Sequence, residues 1–480
     1  MTNKNFKRLA AALLKEGLDI SYEESIYKIR LAGNSNAPDA QVLLPENFPV
    51  EAKAFKQLAN LAAVSHPDGS RACKVCASPD FHPGDAGIAI GSVIASDDMI
   101  IPAAIGTDIN CGMRLHATDI SVDKFLTHKD EFVSTLKGEY LLGKRDLPMS
   151  LASMRAVFNS GLLGWHEVTC NSPLGCLQNS DFDQLLKEIE KTYLCGSLAG
   201  STHWAPEDLV GGFDTIRDGG LGTIGSGNHF CELQYVEEIF DAQEAYAQGI
   251  KKGNVVFMIH SGSRGVGMHI GTNWKEKAKN AWPHNCKFPA GELFPLTQKS
   301  NPDLFEAYLE AEATAANYAF LNRMLLAELM RLRLRAIFGQ NIQASLVADI
   351  PHNITLKEND KWVARKGACP AHSNAPVIIP GSMGDASYYL LGQGNPEFLC
   401  SASHGAGRAH ARFDMGRSGA TKDIDALGLR GIECITLKEE RKIEEAPAAY
   451  KPIQPVIDCQ VARNMVKPVA KFRPILTFKG

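Results

Sequence analysis

Four segments of this 480-residue chain share one design, in which a strand-like apolar run delivers a polar side chain directly into a glycine-rich turn. GTIGSGNHFCELQ carries Asn228 and His229 at that junction, VVFMIHSGSRGVG carries His260, VIIPGSMGDAS carries Ser382, and FLCSASHGAGRAHAR carries His404. Glycines in such turns let backbone N–H groups converge on an anion with no Cβ in the way, which is how phosphate nests are built. A fifth segment, GTDINCGM, sets Asp108 close to Cys111, and His352 and Asn353 follow the apolar run SLVADI. Carboxylate, thiolate and imidazole bind transition metals, and a thiolate can bridge two ions. Together these types point to phosphate chemistry beside a metal. Taken singly each has a plainer reading: a histidine at a strand end is usually a hydrogen-bonded structural group, and a buried cysteine is usually inert packing.

The elements that must position these groups read as follows. The first stretch predicts an amphipathic helix near Phe6 to Lys15, a strand at Tyr27 to Leu31, and a helix from Glu51 to Val64 behind Pro49. From Ala77 to Leu115, short apolar runs cut by Gly and Pro suit buried strands with tight turns. Helices are predicted at Val122 to Leu136 and at Asp181 to Tyr193, the latter capped by Ser180. Between them, Leu141 to Gly175 reads as a long irregular loop. The longest helical pattern, Leu304 to Phe338, stops at Gly339, where a positive φ costs little. There are no repeats and no obvious linker. The expected fold is one large α+β catalytic domain over 66–480, with mixed β-sheets around a central cleft and a small α+β segment, 1–65, packed on it.

Composition limits the partners. A net charge of −4 gives no global attraction to polyanions, so any nucleic-acid binding must come from a local cluster of Arg and Lys. No window approaches the roughly 18 apolar residues that span a bilayer, and the twelve cysteines without a signal peptide suit a reducing, cytoplasmic setting. Cys73-x-x-Cys76 has zinc-knuckle spacing, but its only candidate partners, Cys170 and Cys176, are too widely spaced for a standard second half-site.

The segments, in this order, resemble the signature blocks of the RtcB family of RNA-splicing ligases. The matching stretches are PDFHPGDAGIAIGSV, IIPAAIGTDINCGM, GTIGSGNHFCEL, HSGSRGVG, AANYAFLNR, PHN with RKGA, IPGSMGDASY, SHGAGRAHAR, AYKPI and the final KG. The resemblance implies a GTP- and manganese-dependent ligase that joins RNA 3′-phosphate or 2′,3′-cyclic phosphate ends to 5′-hydroxyl ends, in tRNA splicing or RNA repair. It makes His404 the nucleophile that takes GMP. It implies two Mn²⁺ ions, one on Asp108, Cys111 and His229 and the other on Cys111, His260 and His352. Glu232, the turn Pro380, Gly381, Ser382 and Met383, with Ser387, Tyr450 and Lys479, would form the guanine pocket. Asn228, Asn353 and the Gly405–Ala406–Gly407 backbone would complete the nucleotide contacts. Arg264, Arg408 and Arg412 would hold the RNA ends, and archease is a candidate activating partner.

Three positions depart from the family's usual pattern. Ser78 stands for a common Met, Asn110 for a common Gly, and Asp385 lies inside the PGSM block. Asn tolerates the left-handed backbone that Gly would adopt, so the second change is expected to keep the turn. Two other readings compete: a metal-dependent phosphodiesterase or GMP-capping enzyme that does not ligate, and a non-catalytic RNA-binding subunit.

Overall fold

The computed structural model describes residues 3–45, 48–85, 87–410, 415 and 423–480. Two sheets carry the architecture. The first is seven-stranded, and five of its strands, β1 (Leu18–Glu23), β2 (Ile26–Leu31), β3 (Ala40–Leu43), β4 (Ala72–His82) and β5 (Ile90–Ser96), run in sequence order. The second is built on β6 (Gly112–Ser121), β7 (Phe230–Ile239), β8 (Asn254–Ser261) and β9 (Ala344–Pro351). β10 (Asn353–Glu358) and β11 (Lys361–Lys366) return to close the first sheet against β5. β12 (Pro376–Ile379), β13 (Ser387–Gly392) and β14 (Val466–Phe478) extend the second, in the order β9-β6-β8-β7-β14-β13-β12, and the short strand Cys434–Ile435 pairs parallel with β14 as its eighth member. The chain therefore switches sheets between β9 and β10, and His352 sits at that switch.

Helices cover the sheets: α1 (Asn3–Lys15), α2 (Ala52–Ala62), α3 (Val122–Thr127), α4 (Lys129–Tyr140), α5 (Leu151–Thr169), α6 (Phe182–Lys191), α7 (Arg264–Asn280), α8 (Pro302–Phe338) and α9 (Ile453–Ala462). α8 is buried along most of its length and contacts α4, α5, α7 and the strands β6 and β8. It runs to Gly339, which takes φ 108 as the sequence predicts. No helix among the described residues is long and apolar enough to cross a membrane.

Three expectations are corrected. The loop predicted over Leu141 to Gly175 contains α5, whose buried face is Met154, Val157, Phe158, Leu162 and Trp165, an i, i+3, i+4 stripe. Gly161 interrupts α5 at φ 64 because the 196–197 turn packs onto it: a Cβ there would lie 2.4 Å from the Gly196 carbonyl oxygen. The cap of α6 is Asp181, which accepts from Gln184 N at 3.0 Å, rather than Ser180. The helix predicted from Val122 to Leu136 is two helices, broken at His128 and continuing to Tyr140. Cys73 is exposed and Cys76 buried on the same strand, and all twelve cysteines are free.

A buried ionic network ties these layers together. Arg114 on β6 pairs with Glu188 on α6 and Asp349 on β9, Arg331 on α8 pairs with the same Glu188, and Arg323 on α8 pairs with Asp349. Arg323 also donates to the carbonyls of Asn110 at 2.6 Å and Ser261 at 3.1 Å. A buried guanidinium without such partners would be costly, so the network fixes register as well as charge. Asn110 takes φ 54, the left-handed conformation expected of it, and its side chain donates to the Ala316 carbonyl on α8.

Candidate active site

The ends of β6, β7, β8 and β9 converge, and the polar residues that the sequence places at those ends meet. Cys111 Sγ lies 3.2 Å from His229 Nε2 and 3.1 Å from His260 Nε2, and His260 Nε2 lies 3.2 Å from His352 Nε2. Asp108 Oδ2 lies 2.8 Å from His229 Nε2. The ligand atoms form two triplets that share the cysteine, Asp108–Cys111–His229 and Cys111–His260–His352, each within 4.8 Å. Gly262 makes room for this: a Cβ would sit 2.2 Å from Asp108 Oδ1.

The protonation states suit metal ligands. Burial holds His260 and His352 well below the usual histidine range, so both are neutral imidazoles with a lone pair to give. Burial pushes the Asp108 carboxyl up, but the charge and hydrogen bond of His229 outweigh it and hold it low. Burial and the neighbouring Asp108 push the Cys111 thiol well up, a cost that a dication would reverse. One carboxylate, one thiol and three imidazoles, with the His229 Nδ1 left buried without a partner, fit a metal cluster.

His404 stands beside that cluster, its ring centroid 4.7 Å from that of His352. Its Nδ1 is 2.6 Å from Asp80 Oδ2, and its backbone N–H donates to the same oxygen at 3.1 Å. Burial pushes the Asp80 carboxyl up, but hydrogen bonds from His404 and Ser78 prevail and hold it below the usual range. With Nδ1–H donating to Asp80, Nε2 keeps its lone pair. The turn that follows needs glycine: at Gly407, φ 76, a Cβ would sit 2.2 Å from the Asp80 carbonyl oxygen.

With Asp80 behind it, His404 joins the ligand cluster in lining one cleft of about 1090 Å³. Its far end is bounded by Glu232, whose carboxylate accepts from Gln234 Nε2 and Thr477 Oγ1, both at 2.5 Å. Burial raises the Glu232 carboxyl to about 7. Over residues 57–480 the chain matches the family model described as tRNA-splicing ligase RtcB. The chain belongs to the RtcB family. Its relatives include three proteins named tRNA-splicing ligase RtcB. That of Methanococcus maripaludis is 31% identical over 96% of this chain and 97% of the relative. Those of Nanoarchaeum equitans and Pyrobaculum aerophilum are 32% and 33% identical, each over 84% of this chain and 87% of the relative.

In this RtcB chain the cleft is also lined by Asn228, Asn353, Pro380, Gly381, Ser382, Met383, Gly405, Ala406, Gly407, Tyr450 and Lys479, and by Arg264 and Arg408. Ser387 does not line it. Its hydroxyl lies behind the 380–383 turn, accepting from Gly381 N at 3.3 Å and Gln234 Nε2 at 2.9 Å. Asn353 clasps the protein itself, donating to the Asp108 carbonyl at 3.0 Å and accepting from Gly367 N at 2.8 Å. The Arg408 guanidinium is held by the carbonyls of His410 and Glu444 and by the Glu445 carboxylate. Arg412 lies outside the described residues.

The sequence reading assigned no role to Asp80, His82, Glu445 or Lys366, all of which stand in or against the cleft. Glu445 is a hub, accepting from Arg408, Tyr450 and Lys479. The signal for Asp80 was the PDFHPG stretch, where a fully buried carboxylate sits two residues before the end of the strand. Nothing local in the sequence pairs it with a histidine more than three hundred positions away.

Proposed function

We propose that this RNA ligase joins an RNA 3′-phosphate or 2′,3′-cyclic phosphate end to a 5′-hydroxyl end, using GTP and manganese and passing through a guanylylated His404. The observation that carries the reading is the His404–Asp80 pair: an imidazole locked in one tautomer at the wall of a nucleotide-sized cleft, next to a metal-ligand cluster.

Asp108, Cys111 and His229 would hold one Mn²⁺ and Cys111, His260 and His352 the other, Cys111 being common to both triplets. Such a pair neutralises phosphate charge and stabilises the entering and leaving oxygens of an in-line displacement. Asp80 orients His404 so that Nε2 attacks the α-phosphorus of GTP; the P–N bond forms, and pyrophosphate leaves with the electron pair of the broken P–O bond. An oxygen of the RNA 3′-phosphate then displaces Nε2 from that phosphorus, giving RNA capped by GMP through a pyrophosphate linkage. The 5′-hydroxyl oxygen attacks the RNA-side phosphorus, its proton is lost, and GMP leaves. A 2′,3′-cyclic phosphate is first opened by water to the 3′-phosphate.

Glu232 supplies the selectivity for guanine. Its carboxylate accepts from N1–H and the exocyclic amino group, and adenine would leave it buried without those donors. The Gly405–Ala406–Gly407 turn offers backbone N–H groups to phosphate, and Arg264 offers a planar cation to the terminal phosphate of RNA.

Ligation of a 3′-phosphate oligonucleotide to a 5′-hydroxyl oligonucleotide with GTP and Mn²⁺ tests this. Joined product is expected from the wild type and none from His404→Ala. Opening of a cyclic phosphate without joining would replace this reading by the phosphodiesterase.

A further inference from the structure

The helix that opens in the cleft leads to a second hollow. α7 begins with Arg264 inside the cleft and has Met268 on the cleft wall, while the next residue, His269, lines a separate hollow of about 210 Å³. His203, Trp204, Asn273, Trp274 and Lys277 complete its lining. The two spaces thus share a wall on one helix. From Arg264 to Asn273 the helix rises on the order of 13 Å, a distance that a short single strand spans.

The floor of the hollow is aromatic and braced. Trp274 is buried and packs edge-on against Tyr308, with centroids 5.5 Å apart. Trp204 is fixed by its Nε1–H, which donates to Glu310 Oε2 at 2.6 Å, and its ring lies 5.3 Å from that of Trp274. The His203 ring stands 4.4 Å from Trp204, and the Lys277 ammonium lies 4.8 and 4.5 Å from the two indole centroids. The rim, His203, His269, Asn273 and Lys277, is exposed to solvent. Rings set in advance beside a mobile cation, opening onto a phosphate-handling cleft, are the parts of a stacking platform for single-stranded nucleic acid. In a chain of net charge −4 such contacts have to be local.

We propose that this hollow seats one base of the single-stranded RNA that leads to the reacting end, stacked on the exposed His203 ring with its edge toward Trp204, whose plane lies 76° from that of His203, with Lys277 meeting a neighbouring phosphate. The proposal rests on the RNA-ligase reading and extends it from the reacting ends to the flanking strand. It makes the enzyme sensitive to the length of unpaired RNA beside the break.

The test uses the full chain, as wild type, as His203→Ala/His269→Ala and as Lys277→Gln. Binding is followed by fluorescence anisotropy with a long single-stranded 3′-phosphate oligonucleotide, a long 5′-hydroxyl one, and trimmed versions that keep the same reacting ends. GTP-dependent labelling of each protein reports that the cleft is intact. On at least one long strand the double variant should bind on the order of ten-fold more weakly, while its trimmed version binds both proteins alike. Lys277→Gln should lower the salt dependence of that binding by about one unit of log–log slope. Equal binding of the long strands by wild type and the double variant overturns the proposal and leaves the ligase reading standing, as does an equal loss on long and trimmed strands. A wild type that neither binds nor joins these RNAs overturns both.

Discussion

His404, the proposed nucleophile, is held by a neighbouring carboxylate. One oxygen of Asp80 accepts from both the Nδ1–H and the backbone N–H of His404, and its other oxygen accepts from Ser78 Oγ at 2.6 Å. Ser78 stands where the family usually has methionine, so this chain adds a donor to the orienting carboxylate. Replacing Asp80 by Asn removes the charge and frees the ring to take the other tautomer. Asp80→Asn should therefore slow GMP transfer to His404 by on the order of 10²- to 10⁴-fold with the fold intact by circular dichroism. A variant as fast as wild type would show that the pair does not position the nucleophile. Glu232 carries a pH prediction. Burial raises its carboxyl to about 7, so in the free protein it is protonated below that value, whereas the proposed guanine recognition would need the ionised form. GTP affinity should fall as pH drops from 8 through about 7, and calorimetric titration of Glu232→Gln should give a weak affinity that stays flat over the same range.

At the level of elements, the site depends on how strand ends are anchored from behind. Arg323 on α8 bonds the carbonyls of Asn110 and Ser261, adjoining the candidate ligands Cys111 and His260, so one buried side chain locks two of the converging strands. Asp385 does the same for the nucleotide end of the cleft. Its Oδ2 accepts from Ile453 N at 3.0 Å, at the start of α9, and its Oδ1 accepts from Ala386 N at 2.8 Å. This carboxylate therefore ties the 380–383 turn to the segment carrying Tyr450. Asp385→Ala should cost about 1 kcal/mol of stability, the usual value of a lost helix cap, and should raise the KM for GTP more than it lowers kcat. Thermal unfolding together with steady-state kinetics checks both; an unchanged KM would mean that the tie does not shape the pocket.

Across the whole molecule, the chemistry was more legible than the scaffold. His229, His260 and His404 were legible because each stands where an apolar run meets a glycine-rich turn, Asp108 and Cys111 because they share one short turn, and His352 because it follows an apolar run; the order of these segments, resembling the family's blocks, joined them into one site. The left-handed Asn110 was readable because Asn tolerates that conformation. α5 was missed because its glycines read as loop residues, although Gly161 is there to admit the 196–197 turn, a tertiary demand with no local signature. Asp80, Glu445 and the Arg114–Glu188–Arg331 network were hidden because their meaning lies in partners far away in sequence. The candidate ligand cluster, His404 with Asp80 behind it, and Glu232 meet at one cleft, and the proposed guanylylation of His404 would require all three. Its most direct measurement is incubation with [α-³²P]GTP and Mn²⁺, followed by denaturation and counting of protein-bound label. The account predicts label on the wild type that acid releases and alkali does not, as for a P–N bond, and none on His404→Ala. Equal label on both proteins, or none on either, would contradict it.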